Sequence, residues 1–226
     1  MSVEVTDELQ RRISAVPRPE PVLSRERADA LTPRQRELLD EVTELIRDGF
    51  AHLTMADLAG RLNCSLRTLY GLARSREELV LMAIDRNLWS IGRTARSAAG
   101  EHSHADPLAT IGAYLAAANV AVSSTTPAFA RDLAAVPGGA QLRQAHNDYL
   151  VAVTRELLDY AVERGDINAV DTAAVARVIA GLGDLFVRPE VIETLGGNPR
   201  DAANEVVDII LVGLRGRSAI GGTPCT

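Results

Sequence analysis

The sequence predicts an all-α fold, and three observations support this class. Ala, Leu and Val dominate the apolar residues, whereas Phe, Trp and Tyr make up only 4% of the chain, a composition that favours helices over β-sheet. Apolar residues recur at i, i+3, i+4 and i+7 along most of the chain. Capping residues or prolines begin these segments, and glycines end several of them. With 226 residues, the chain is long enough for one small domain and a larger one.

Residues 1–31 are predicted to form a flexible N-terminal extension. Three prolines between residues 17 and 21 prevent a continuous helix, and acidic residues balance the arginines of this segment. One interpretation is a loose tail that packs partly on the rest of the chain. The alternative is an arm that touches a DNA minor groove through Arg25 or Arg27.

The first strongly periodic helix begins at Thr32-Pro33, which is an N-cap followed by proline at the first helical position. It is predicted to end before Gly49, because glycine is common just past a helix C-terminus. One stripe of this helix is apolar and predicts a core-facing side, formed by Leu38, Leu39, Val42, Leu45 and Ile46.

Residues 53–70 predict two short helices joined by a tight turn. Thr54 and Ser65 are good N-caps, because their hydroxyls accept a hydrogen bond from the first turn. Asn63-Cys64 breaks the apolar pattern between them, and asparagine tolerates the left-handed conformation that such turns often need. Helices this short must share a core with neighbours. Since the second is polar on its outer face, which suits a DNA major groove, we interpret the stretch as a helix-turn-helix.

A longer helix starts at Ser75, which forms a capping-box pattern with Glu78, and fades near residue 100. The polar stretch 100–106 marks a predicted domain boundary. Five further helices are predicted, starting near residues 107, 127, 140, 170 and 199. The chain is therefore divided into the extension 1–31, a helix-turn-helix head with its linking helix over 32–96, and a larger helical body over 97–226.

The net charge of −6 is unevenly distributed. Residues 1–96 hold 15 arginines and 15 acidic residues, whereas residues 97–226 hold 9 arginines and 15 acidic residues. The rear part therefore carries the whole excess of negative charge. This division fits a head that reads DNA and a body that stays away from it.

Several classes of protein are not supported by the sequence. Cys64 and Cys225 are too far apart to suggest a disulfide framework or a metal site. No apolar run approaches the roughly 18 residues that span a bilayer, and the N-terminus has no apolar signal core, so we expect a cytoplasmic protein without membrane contact. The chain has no nucleophile-elbow, P-loop or dinucleotide-binding motif. We therefore expect neither an enzyme nor a cofactor.

The pair His102-x-His104, followed by Asp106, has two interpretations. These side chains could ligate a metal ion, but the predicted loop offers no third soft ligand. The alternative is a solvated polar loop, and on that basis we predict no metal site.

The head carries a combination of caps and spacings over residues 34–80 that is specific enough to compare with a known family. The matching segments are Gly49-Phe50, Leu53-Thr54-Met55-Ala56-Asp57-Leu58-Ala59, Cys64-Ser65, Thr68-Leu69-Tyr70 and Ser75-Arg76-Glu77-Glu78-Leu79. Together they resemble the N-terminal domain of TetR/AcrR-family transcriptional regulators. The resemblance implies a homodimer that binds a double-stranded DNA operator through two heads, and a body that binds a small-molecule effector and carries the dimer interface.

The resemblance also implies which side chains contact DNA. Arg67 is the candidate for base recognition, through a bidentate contact to guanine that contributes about 1–3 kcal/mol of discrimination; the alternative is an arginine bound only to phosphate. Tyr70 could instead be mainly a packing residue. The full set of expected DNA contacts is Thr54, Ser65, Leu66, Arg67, Thr68, Tyr70, Arg74 and Arg76.

The sequence departs from the family pattern directly after Tyr70. Family members usually continue with an aromatic residue or histidine and then phenylalanine, whereas this chain has Gly71-Leu72-Ala73. A leucine cannot make the phosphate contact of a tyrosine or histidine, and alanine fills less of the core. We therefore expect phosphate anchoring to depend on Arg74 and Arg76.

The body offers two further sets of candidates. By analogy with the family, an effector pocket would draw on large aromatic and polar side chains of the linking helix and the body, although such residues can equally be plain core. These are Trp89, Tyr114, Asn119, Phe129, His146, Tyr149 and Phe186. The last two long helices would pair with those of a second copy in a four-helix bundle, through Val178, Leu182, Leu185, Val206 and Ile210.

These observations predict a ligand-responsive, sequence-specific DNA-binding regulator, most simply a repressor released from its operator by a small apolar effector. The alternative is a helical ligand-binding or scaffolding protein in which DNA binding is weakened, which the departure at residues 71–73 favours.

Overall fold

The computed structural model describes residues 2–102, 107–123, 126–186 and 188–215, and these residues form helices and no strands. The all-α fold class is therefore confirmed. The helices are α1 (Ser2–Ala15), α2 (Arg25–Ala30), α3 (Pro33–Ile46), α4 (Met55–Arg61), α5 (Leu66–Leu72), α6 (Arg76–His102), α7 (Pro107–Ser123), α8 (Pro127–Ala135), α9 (Gly139–Glu163), α10 (Thr172–Leu185), α11 (Pro189–Ile192) and α12 (Pro199–Leu214).

Helices α3, α4 and α5 form the head around one hydrophobic core. Thr32 and Gln35 make a reciprocal capping box at the start of α3. The turn between α4 and α5 places Asn63 at φ 48°, in the left-handed region that asparagine tolerates. The core is sealed by large fully buried side chains from all three helices and the segment between α3 and α4, among them Leu38, Ile46, Phe50, Leu58 and Leu69.

Helix α6 connects the head to the body without a break. Its first turns belong to the head core through Leu79 and Ala83, whereas Ala95 lies in the core of the body. The helix continues to His102, so it extends past the start of the predicted boundary at residues 100–106.

The body packs α7, α9, α10 and α12 around a second core. Helix α10 lies against α9, and α12 lies against α7. Helix α8, although it follows the predicted boundary, contributes Leu133 to the core of the head. None of the described helices combines the length and apolar character that a membrane crossing requires.

The N-terminal extension packs on the rest of the chain over more of its length than the partly packed tail that the sequence predicts. Helix α1 packs against α9, and Leu9, Ile13 and Val16 are buried in the core of the body. These residues follow each other at i, i+4 and i+7, so they lie on one face of the chain as it leaves α1. The prolines interrupt the helix only after this face is complete, which is why their presence does not make the extension loose.

Candidate nucleic-acid interface

The outer face of α5 is open to solvent. Leu66 and Arg67 are exposed, and Tyr70 is 55% exposed. The inner face holds Leu69 and Leu72, which are completely or almost completely buried in the head core. Tyr70 therefore contributes little to packing, and the exposed side of α5 is available for a partner.

Caps hold both helices of the helix-turn-helix by local hydrogen bonds. The Thr54 hydroxyl accepts from the amide of Asp57 at 3.1 Å and donates to the Asp57 carboxylate at 2.6 Å. This hydroxyl and the Thr54 amide hold the pKa of Asp57 below its ordinary value. At the next helix, Ser65 Oγ accepts from the amide of Thr68 at 3.1 Å and lies 2.8 Å from the Thr68 hydroxyl. These polar groups orient their helices, and a DNA contact by any of them stays a prediction.

The three candidate arginines occupy different environments. Arg67 is exposed and forms no hydrogen bond or ion pair with the described part of the chain. Arg74 is also exposed, and its amide donates to Glu78 at 2.6 Å. Arg76 instead donates to the carbonyl oxygens of Phe50 and Leu53. Phosphate binding by Arg76 stays a prediction, while its observed contacts tie the start of α6 to the chain between α3 and α4.

An open groove beside α5 gathers several of the expected DNA contacts. Its volume is about 490 Å³, and it lies between the start of α4, the exposed side of α5 and the first residue of α6. The residues that line it include four members of the expected set, Thr54, Leu66, Tyr70 and Arg76.

The structure gives a physical reason for the departure at residues 71–73. Leu72 is 2% exposed and Ala73 is 1% exposed, so both lie in the head core. Gly71 faces open space, since a Cβ at this position would meet nothing within 4 Å. Phe129 of α8 fills part of the same core and meets Phe50 edge-on, with ring centroids 5.8 Å apart. A side chain from the body thus completes the core of the head.

Helix α8 is fixed to the head by a buried carboxylate. One oxygen of Asp132 accepts from the amides of Phe50 and Ala51 at 2.6 and 2.7 Å. Burial favours the neutral acid, but these two amide bonds outweigh it and hold the pKa of Asp132 below its ordinary value. Gly49 has φ 104°, and a Cβ there would lie only 3.0 Å from that of Ala128. Glycine is therefore required where the head meets α8, and the sequence reasoning assigned Asp132 no role.

Four of the expected effector residues lie together where α6, α7 and α9 meet. The Trp89 ring lies 5.2 Å from that of His146 and 5.8 Å from that of Tyr149, measured between centroids. Tyr149 accepts a hydrogen bond from Arg96 at 3.1 Å. Tyr114 lies in the same hydrophobic core as Tyr149, and burial raises the pKa of Tyr114. This cluster, the Trp89 cluster, is mostly apolar with a few polar atoms.

The remaining effector candidates lie elsewhere. Phe129 packs in the core of the head, as described above. Phe186 is buried at the C-terminal end of α10, and no ring contact within the described residues joins it to the Trp89 cluster. The side chain of Asn119 lies outside the described part of the chain.

Neither a protein-family model nor a curated protein matches this sequence. Solved structures do match its fold. A TetR transcription regulator from Haloarcula marismortui aligns with a TM-score of 0.69 at 16% identity, over 81% of this chain and 99% of that one. The fatty acid degradation regulator FadR from Bacillus halodurans aligns with a TM-score of 0.62 at 17% identity, over 83% and 99%. The ketosteroid transcriptional regulator KstR2 of Mycobacterium tuberculosis aligns with a TM-score of 0.56 at 19% identity, over 83% and 97%.

The chain has the TetR-type fold. In terms of that fold, α4 and α5 are the helix-turn-helix, α6 links head and body, and α10 and α12 are the last two long helices. The N-terminal resemblance found in the sequence therefore extends to the architecture of the whole body, where no sequence motif indicated it.

The last two long helices of this TetR-type chain expose an apolar surface. Val178 and Leu185 of α10 are exposed as expected, while Leu182 is half-buried. On α12 the exposed apolar side chains are Ile209 and Val212, at 64% and 67%. Val206 and Ile210, which were expected to face a partner, are half-buried, and Ile210 packs on the body core. Residues 206–212 are apolar at every position except Asp208, so they show no clear period that would indicate which side chains face outward.

The structure also bears on the thiol of Cys64 and on metal-binding groups. Cys64 is half-buried against the head core, and burial raises the pKa of its thiol, which disfavours the reactive thiolate. No group of three or more metal-ligating side chains occurs in the described residues. The side chains of His102, His104 and Asp106, together with Cys225, lie outside them.

Proposed function

We propose that this protein is a homodimeric, ligand-responsive transcriptional regulator that binds operator DNA in a sequence-specific manner. The observation that carries the proposal is the exposed face of α5, where Arg67 has no partner among the described residues. An arginine on the second helix of a helix-turn-helix has the geometry and the donors to read guanine in the major groove. The TetR-type fold supports the same function, because the solved neighbours are transcriptional regulators.

Replacing Arg67 with alanine is expected to weaken binding by about 10-fold to 100-fold for each half-site, because each head loses one bidentate base contact. The loss should be concentrated at one base pair of each half-site, so sequence preference at that position relaxes. Fluorescence anisotropy at fixed salt, with DNA from upstream of the protein's own gene and with single-base variants of it, measures both effects.

Arg74→Ala is the matched control, since Arg74 is exposed but is expected to contact only phosphate. It should weaken binding uniformly across the variants. It should also reduce the slope of log affinity against log salt concentration by about one for each arginine lost. If Arg67→Ala behaves in the same uniform way, Arg67 binds phosphate, and if it leaves binding unchanged, Arg67 has no part in the interface.

A second candidate function is a helical ligand-binding or scaffolding protein in which DNA binding is weakened. The burial of Leu72 and Ala73 favours it, because neither side chain offers the phosphate contact of an aromatic residue or histidine. A gel shift at stated salt distinguishes the two. A retarded complex whose affinity falls steeply with salt supports the regulator, and no retardation at micromolar protein supports the alternative.

We place the effector site at the Trp89 cluster. The buried Nε1–H of Trp89 has no hydrogen-bond partner in the described residues, and an unpaired buried donor costs about 1–3 kcal/mol. An acceptor atom on a bound molecule would remove this cost. We therefore expect an effector with an apolar body and at least one oxygen acceptor, a description that fits fatty acids and ketosteroids, the molecules after which two of the solved neighbours are named.

The proposed mechanism is a shift between two head arrangements, of which only one suits the operator. An effector that binds the other arrangement more tightly shifts the population toward it and releases the DNA, which is the behaviour of a repressor. The coupling can be no larger than the difference between the two affinities. Helix α6 carries Trp89 and also forms part of the head core, so a change at the cluster acts on an element shared with the head.

The dimer interface is assigned to the exposed apolar surface of α10 and α12. Two heads are needed because one helix-turn-helix makes few base contacts, whereas two can meet half-sites about 34 Å apart on one side of the duplex. Val178, Leu185, Ile209 and Val212 are the exposed large apolar residues of these helices. Large apolar side chains grouped on a protein surface mark an interaction site, and a two-fold axis through this surface would bury them in a four-helix arrangement.

A further inference from the structure

The N-terminal residues 2–31, called the strap below, are anchored at both ends. At one end, α1 is buried against α9, and Arg12 donates to Glu163 at 2.5 Å and to Glu8 at 3.0 Å. The Arg12 guanidinium also lies 5.2 Å from the centre of the Tyr160 ring. At the other end, Val22, Leu23 and Leu31 pack against the core of the head. The strap therefore contacts both domains at once.

A buried carboxylate also binds the strap at Val22. The Val22 amide donates to one oxygen of Asp85 at 3.0 Å, and Nε2 of His146 lies 2.8 Å from the other oxygen. Asp85 is only 4% exposed. His146 in turn packs edge-on against Trp89. One residue of α6 thus joins the strap to α9 beside the Trp89 cluster.

Arg27 contacts the end of the recognition helix α5. Its guanidinium donates to the carbonyl oxygen of Leu72 and to the carboxylate of Glu78, each at 3.1 Å. The last carbonyls of a helix lack partners inside it, and a cation there also interacts favourably with the helix dipole. Glu78 additionally accepts from the Arg74 amide at 2.6 Å, and the amide and Arg27 together hold the pKa of Glu78 low despite its partial burial. Arg27 therefore fixes both sides of the turn between α5 and α6.

Glu78 and Asp85 are seven residues apart on α6, so they lie on one face of that helix. The strap contacts this face twice. Val22 binds Asp85, and Arg27, five residues further along the strap, binds Glu78. The strap consequently runs along α6 from the Trp89 cluster to the end of α5. An effect at His146 can reach the recognition helix by this route, through the Asp85 carboxylate and the strap, without a shift of the α6 backbone.

We propose that Arg27 is a positioning residue for the recognition helix and that, through the strap, this positioning depends on the contact between His146 and Asp85. The proposal rests on the proposed function in taking α5 as the DNA-reading helix. It also assigns Arg27 a contact within the protein, in place of the minor-groove contact considered from the sequence.

Hydrogen exchange of the free protein tests the proposal without DNA. Arg27→Gln removes the ion pair with Glu78 and weakens the hydrogen bond to the carbonyl oxygen of Leu72. It should speed exchange of the amides of residues 69–73 by about tenfold, because local opening of the α5 end becomes easier. Arg27→Lys should give an intermediate rate, since a single ammonium cannot reproduce the two-pronged geometry of the guanidinium. Unchanged exchange in Arg27→Gln would overturn the positioning role.

A double-variant comparison tests the dependence on the body. His146→Leu, which fills much of the same space but removes the bond to Asp85, should also speed exchange of residues 69–73. It should have no further effect in the Arg27→Gln background, because the route through Arg27 is already broken. Equal effects in both backgrounds would mean that His146 acts through α6 directly and would overturn the strap. Gln144→Ala, an exposed change on the same helix, is the control and should leave exchange unchanged.

Operator binding by the same variants separates this proposal from the proposed function. If exchange responds as expected but no variant or wild-type protein binds the upstream DNA, the strap is supported and the regulator function fails. If DNA binds and exchange does not respond, the regulator stands and the strap is wrong.

Discussion

Replacing Asp132 with alanine is expected to lower the free energy of unfolding by about 2–4 kcal/mol, because it leaves the buried amide of Phe50 and the partly buried amide of Ala51 without their acceptor, and a buried unpaired amide costs about 1–3 kcal/mol. Asp132 is buried, and its oxygen lies within 2.7 Å of both amides, those of Phe50 and Ala51. Denaturant unfolding at pH 7, followed by circular dichroism, measures the change. Few substitutions of a single polar side chain in this chain should be as damaging.

Asp40→Ala provides the matched control. Asp40 is an exposed aspartate whose carboxylate pairs with Arg86 at 2.9 Å, and exposed ion pairs contribute about 0–1 kcal/mol. If Asp132→Ala is no more destabilising than Asp40→Ala, the carboxylate does not hold α8 to the head as the geometry indicates.

The same carboxylate predicts a pH dependence. The pKa of Asp132 in the folded protein is below the ordinary value of 3.8. The folded state therefore favours the ionised carboxylate, and as the pH falls the unfolded chain takes up the proton before the folded chain does. The contribution of Asp132 is therefore complete above about pH 5 and falls as the pH drops through 3.8 and then through the lower folded pKa. The difference in stability between the wild type and Asp132→Asn should accordingly shrink on acidification. A constant difference from pH 7 to pH 3 would contradict this assignment.

Local chemistry explains why the head could be predicted in detail. Thr32, Thr54, Ser65 and Ser75 cap the helices that follow them, because a cap depends on neighbours within four residues. The turn at Asn63 is equally local. The helix-turn-helix was therefore readable from spacing alone.

Contacts between distant segments explain what could not be predicted. Asp132 binds the Phe50 amide, 82 residues away in the sequence, and Arg27 binds Glu78, 51 residues away. The residues next to Asp132 and Arg27 form no pattern that indicates these partners. The sequence predicts that Arg76 anchors phosphate, but it does not indicate that the guanidinium donates to carbonyl oxygens more than 20 residues upstream. Leu9, Ile13 and Val16 have the helical spacing of a buried face, and the prolines at residues 17–21 follow this face without interrupting it.

Placing an aspartate at Val212 is expected to separate the proposed dimer. Val212 is 67% exposed in the single chain, so the substitution should leave the fold intact, whereas in the dimer it would bury an unpaired charge, which is strongly unfavourable. We expect the dimer Kd to rise by about 100-fold or more, since each protomer would bury one charge in an apolar interface and lose association energy of several kcal/mol. Analytical ultracentrifugation over a range of concentrations measures it.

The consequence for DNA should be equally large. Two linked heads bind adjacent half-sites with a high effective concentration, and a monomer loses that advantage, so affinity for a full operator should fall by about 100-fold while affinity for an isolated half-site stays unchanged. Val170→Asp, the same substitution at an exposed valine outside α10 and α12, should alter neither mass nor affinity. A Val212→Asp protein that remains dimeric would place the interface elsewhere. A monomeric protein with lost half-site binding would instead indicate that the head itself was damaged.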